Sequence, residues 1–210
     1  AAQIASLRGD HARAVLRGRE AVRAADHVDD IGAGGFVRGE LRAALVEVGE
    51  DHAPDPLESP LGRARAELRL MAADEVDAAA AALVRHGVEA GYLLWAPFIG
   101  LEAVRRGPAP ETSVLVADLC AGHDGPLAAA IHAFAVGNAE ADATALAGAV
   151  EGFSSVGADA YALDALSNEL ECSARDGADV FACRRRALLA RSIATRLRPH
   201  PSPRATARLE

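Results

Sequence analysis

The stretch from Ala141 to Pro199 constrains this chain more tightly than any other. It reads as three successive helices, divided by Gly157-Ala158-Asp159 and by Asp176-Gly177-Ala178-Asp179, and the last is stopped by Pro199. Glycine turns the chain out of a helix at low steric cost, Asp accepts from the free amides of the next one, and Pro cannot continue a helix. Similar punctuation recurs upstream at Gly9-Asp10, at Asp74 and at Gly122 to Gly125. Gly122 and Gly157 are 35 residues apart, and the repeat period is read as roughly 35 to 40 residues, the length of a helix-hairpin repeat. A single hairpin cannot bury both its faces, so neighbouring hairpins must stack.

The side chains agree with helices packed closely together. Half of the residues are apolar but only 4% are aromatic, and β-branched alternation is scarce, so small-residue helix contacts are expected and strands are not. Asp10 is placed to cap a helix running to about Ala25. On that helix Ala14, Gly18 and Ala21 share a face, a spacing similar to the small positions in the second half of a tetratricopeptide (TPR) repeat. Gly32 to Gly35 lacks the GxGxxG spacing of a phosphate loop and reads as a close helix crossing, leading into a helix on Leu41, Leu45 and Val48. Leu61, Ala64, Leu68 and Met71 form one apolar stripe, and further helices are expected over 110–121 and 126–136. The expected fold is all-α: antiparallel helix hairpins stacked as a TPR-like, right-handed α-solenoid over residues 1–198. The proline-rich loop at 50–60 is a candidate internal boundary, and 199–210 are a linker or appended tail.

Several chemistries are poorly supported. All 22 basic residues are Arg, which excludes a Schiff-base lysine and the lysine of a P-loop within these residues. Cys120, Cys172 and Cys183 have no CxxC spacing and read as small interface side chains. Asp26-His27-Val28-Asp29-Asp30 offers metal-ligand chemistry, but its place between helices is explained by capping and solvation, so no metal site is assigned. Ser154-Ser155 lacks a GxSxG context, and His86 with Glu89 reads as a solvated pair; no catalytic residue is assigned and no enzyme is expected. No apolar run reaches the ~20 residues of a membrane span, so a cytoplasmic protein without membrane contact is expected.

Two regions carry candidate recognition chemistry. Tyr92, Trp95 and Phe98 are each three apart, which on a helix would set them along one face as a stacking surface. Pro97 beside them either occupies a first helical turn or kinks the helix. With Arg105 and His132 as polar contacts, these are the candidate ligand-binding residues; a core stripe is the competing account. The second region is electrostatic. From Val180 onward there are eight Arg against one acid, whereas residues 1–179 hold 14 Arg and 29 acids. Arg184, Arg185, Arg186 and Arg191 therefore form a candidate interdomain relay surface on an acidic body.

Val150-Glu151-Gly152-Phe153-Ser154-Ser155-Val156-Gly157-Ala158 resembles the A-x-x-F-x-x-L-G-A segment of actinobacterial large ATP-binding regulators of the LuxR family. The helices at 161–174 and 180–197, the Arg175-Asp176-Gly177 turn, and Asp124-Gly125-Pro126-Leu127-Ala128-Ala129-Ala130 upstream also resemble parts of those proteins. The resemblance covers about the last 100 residues and implies a helical sensor arm between an ATPase module and a C-terminal helix-turn-helix domain. Neither flanking part has a counterpart in these residues, so an excised portion of a longer regulator is expected. ATP is expected only in an upstream domain, and no cofactor in these residues. The implied function is to bind a small-molecule effector, a protein partner or a second copy, and to relay that event to a DNA-binding domain. A free-standing TPR-like scaffold for peptide segments is the alternative.

Overall fold

The computed structural model describes residues 2–27, 33–50, 53–72, 74–106, 109–177 and 179–197. Among them all regular structure is helical. The elements are α1 (Ala2–Leu7), α2 (His11–Ala25), α3 (Ala33–Glu47), α4 (Pro60–Leu70), α5 (Val76–Glu89), α6 (Ala96–Val104), α7 (Pro110–Ala121), α8 (Pro126–Glu140), α9 (Ala143–Ser155), α10 (Asp159–Arg175) and α11 (Val180–Arg196).

Local chemistry accounts for the helix ends. Asp10 accepts from the Arg13 amide at 3.0 Å, Ser59 from Gly62 at 3.1 Å, Asp142 from Thr144 at 2.7 Å and Asp179 from Phe181 at 3.2 Å. Each bond satisfies an amide that has no partner within its helix. Gly157 and Gly177, both at φ 72°, follow α9 and α10, in the left-handed region that glycine enters most easily. Helix α4 ends at Leu70, where Met71 turns extended, so the last member of the expected apolar stripe lies just past the helix. The terminating Pro199 lies outside the described residues.

Consecutive helices pack against each other, and α4 with α6, α5 with α7 and α6 with α8 add contacts one element further along. Three apolar clusters result. Ala5, Ala14, Val15, Ala44 and Leu45 join α1, α2 and α3. Leu68, Val76, Val84, Ile99 and Ala103 join α4, α5 and α6. The largest cluster spans α6 to α11, with Phe134 edge-on to Phe153 at 5.8 Å and Phe153 beside Tyr161 at 5.6 Å. In addition α1 packs on α10, and Gly9 lies against Leu197 and Ala160. The first hairpin thus touches the last one, a contact that stacking of sequence neighbours alone does not produce.

Helices α3 and α4 flank the 50–60 loop and cross at backbone contact: a Cβ on Gly39 would fall on the Cα of Gly62. Gly148, within α9, has no atom within 4 Å of an added Cβ. Gly39→Ala is therefore expected to destabilise the fold by about 1–3 kcal/mol through overpacking. Gly148→Ala should stabilise it by about 0.5–1 kcal/mol through helix propensity. Urea denaturation midpoints test the opposite signs.

Candidate functional site

Helix α6 is apolar over Ala96–Val104 except for Glu102. Such a helix must be buried, and its one carboxylate is buried with it. Arg65 and Arg69, one turn apart on α4, converge on that carboxylate. Arg65 Nη2 donates to Glu102 Oε1 at 2.8 Å; Arg69 Nη2 donates to the same oxygen at 2.7 Å and Arg69 Nε to Oε2 at 2.8 Å. Arg65 also pairs with Glu40, and Arg69 reaches Glu47 at 3.4 Å, both on α3. Arg105, just past the end of α6, lies 3.7 Å from Glu47, bonds Asp164 of α10 at 2.5 Å and covers the Tyr161 ring at 4.4 Å. One network of charged side chains therefore joins α3, α4, α6 and α10.

The titration behaviour follows from this geometry. Burial by itself would raise the Glu102 carboxyl, but Arg69 and Arg65 outweigh it and hold the group well below the usual carboxylate range. Burial likewise opposes ionisation of Glu47, and Arg69, Arg105 and His11 reverse the balance downwards. The Arg65 and Arg105 guanidiniums lose hydration on burial, yet Glu102 with Glu40, and Asp164, hold them firmly charged. Burial pushes the Tyr161 phenol up. His11, at 3% exposure, is lowered by burial, with Arg105 and Arg69 acting in the same direction against Glu47. It is kept as a neutral imidazole beside the network.

The candidate ligand residues divide between two places. Pro97 occupies the first turn of α6 rather than a kink, and the helix starts at Ala96. Tyr92 and Trp95 thus precede the helix, and the expected single aromatic helix face does not form. Trp95 and Phe98 do meet, at 6.1 Å between rings, and Phe36 of α3 joins Trp95 at 4.4 Å; Tyr92 is exposed. Phe98 also lines a groove of about 310 Å³ with Leu93, Leu94, Pro97, Leu127 and Ile131, and His123 and Asp124 stand among its few polar side chains. Arg105 belongs to the ionic network. His132 donates from Nδ1 to the Ala117 carbonyl at 3.0 Å, which satisfies it within the α7–α8 interface.

The relay candidates also differ in role. Arg186 makes a two-point pair with Glu169 of α10, 2.7 Å from Nε to Oε1, and Arg196 pairs with Asp159 at 2.9 Å. Arg184, Arg185 and Arg191 are exposed on α11. Among the described residues no group of three or more His, Cys, Asp or Glu is placed to hold a metal ion. Asp26 pairs with Arg38 and His27 donates to the Arg23 carbonyl at 2.7 Å; Val28, Asp29 and Asp30 lie outside the described residues. Cys120 and Cys172 are buried, and burial pushes the Cys120 thiol up to about 11. No described helix is long and apolar enough to cross a membrane. Compared with protein-family models, curated proteins and solved structures, the chain gives no match.

Of the ionic network, the sequence alone singles out only Arg105. The network's signal was a lone Glu in an apolar helix, together with two Arg at a spacing of four. Glu102→Ala, which strands two buried guanidiniums, is expected to cost about 3–5 kcal/mol, whereas Glu20→Ala in the exposed Arg17–Glu20 pair should cost under about 1 kcal/mol; chemical denaturation compares them. His11 gives a separate pH signature. Its pKa is lower folded than the ordinary 6.5, so the unfolded chain binds the proton first and stability falls as pH drops below about 6.5. Glu47 and Glu102 act in a lower window, beginning near their ordinary 4.5. Melting temperatures between pH 8 and 5 should fall less for His11→Leu than for the wild type; identical slopes would remove His11 as the cause.

Proposed function

We propose that the chain is a sensor and assembly module of a LuxR-type transcriptional regulator, its hairpins stacked as a TPR-like α-solenoid. An effector or protein partner binds at the Phe98 groove, and the event passes to α11 and from there to a DNA-binding domain beyond these residues. The observation that carries this reading is the double attachment of α6. Its first turn supplies Pro97 and Phe98 to the groove, and its other end supplies Glu102 and Arg105 to the ionic network. A displacement of α6 therefore acts on Asp164 of α10, and α10 grips α11 through Glu169 and Arg186. Contiguous packed and bonded elements of this kind are the physical route by which two sites couple.

The groove chemistry defines the occupant class. Its lining is mainly leucine, proline, phenylalanine and isoleucine, with His123 and Asp124 able to orient one polar group. It suits a largely apolar small molecule with a single polar handle. A scaffold reading has its own support: Leu94 is 72% exposed and Leu93 about half exposed, so an apolar side chain of a partner peptide has surface to cover. No catalytic role is proposed.

Trp95 is the single tryptophan and reports on Phe98 beside it. A panel of apolar metabolites screened by Trp95 fluorescence is expected to yield a ligand whose signal disappears in Leu94→Asp. Saturation with it should change amide hydrogen exchange in α11 in the wild type and leave α11 unchanged in Arg105→Gln. A bound ligand with no effect on α11 exchange overturns the relay; binding only by peptides selects the scaffold.

A further inference from the structure

Helix α11 buries one side and leaves the other without a partner among the described residues. Arg186, Ala190, Ile193 and Leu197 face α10 and the core. On the opposite side Phe181 and Leu188 lie seven residues apart, 73% and 58% exposed. Arg184 and Arg191, also seven apart, border them on one edge, and Arg185 borders them on the other. At 100° per residue this is an apolar seam between two basic edges, spanning 181–188, about 10 Å of the 17-residue helix. None of the three Arg is paired with a carboxylate among the described residues, and α11 contains no acid of its own.

We propose that this face docks an amphipathic helix with an apolar seam flanked by Asp and Glu, carried by another protein or domain. Charge selects that occupant. A second copy meeting through the same face would oppose Arg to Arg, with no acid on either helix to offset the repulsion. A nucleic-acid backbone would satisfy the Arg side chains but leave Phe181 and Leu188 uncovered, whereas a partner helix covers the seam and neutralises both edges. Arg186 and Arg196 bond to α10 and so hold the seam in a fixed orientation, which lowers the cost of ordering it on binding. The proposal names the partner for the relay helix of the proposed function, yet docking requires no ligand in the groove.

The test uses the whole 210-residue chain and fluorescent two-heptad peptides with Leu at the seam and either Glu or Lys on both edges. The Glu peptide is expected to bind at least about tenfold more tightly than the Lys peptide. Phe181→Ser with Leu188→Ser should weaken it by at least about tenfold, and reversal of Arg184, Arg185 and Arg191 to Glu should transfer the preference to the Lys peptide. These substitutions are at the surface, and unchanged circular dichroism and melting temperature confirm folding. Equal binding of both peptides, or no binding of either, overturns the proposal. So does tighter binding of a DNA duplex that survives the serine substitutions, or a dimer by ultracentrifugation that the serine substitutions dissolve. Leu94→Asp discriminates the two readings: if it abolishes the groove ligand but leaves peptide binding intact, docking stands without the groove.

Discussion

The arrangement of this protein depends on one buried carboxylate. Glu102 lies on a helix that is otherwise apolar, so burying the helix removes the charge from water, and the carboxylate is tolerable only while Arg65 and Arg69 bond to it. The three apolar clusters are attracted by burial, which has no direction of its own. The ionic network adds direction. Arg65 and Arg69 come from the α4 side, Glu40 and Glu47 from α3, and Asp164 with Tyr161 from α10. A shift of one helix past another would leave a buried charge unpaired, so the network disfavours alternative registers even where it adds little net stability.

Two surfaces proposed for recognition stand on that frame. The groove beside Phe98 uses the start of α6 and the turn before α8, and the Arg-edged apolar seam of α11 uses the far side of a helix whose near side is bonded to α10. Both surfaces expose large apolar side chains. The contact of α1 with α10, and of Gly9 with Leu197, joins the first hairpin to the hairpin that bears the seam. Buried His11 at the start of α2 feels the charges of Glu47, Arg105 and Arg69, so the N-terminal hairpin is coupled to the central charges.

The helices were legible because their ends are set by neighbours in sequence. Asp10, Asp142 and Asp179 accept from amides two or three residues on, and Gly157 and Gly177 take up the left-handed turn wherever the hairpins pack. The small face of α2 announced a close approach, and Gly18 meets Leu41 of α3 there, whereas the tighter Gly39–Gly62 contact had no such signal. The aromatic trio was misgrouped because spacing of three has that meaning only inside a helix, and α6 begins after Trp95. Phe36, which joins Trp95, is 59 positions away, beyond the reach of any local pattern. Arg105 stands out in the sequence by its chemistry alone, since its partner Asp164 is equally remote.

The sequence by itself determined an all-helical chain, the approximate helix boundaries, and a charge distribution that turns basic at Val180, because propensity, capping and composition act over a few residues. Only the tertiary structure decided which charges meet, which apolar residues remain uncovered, and that the first hairpin returns to the last. Those outcomes depend on helix rotation and crossing, which place Glu102 between two Arg and turn Phe181 and Leu188 away from the core.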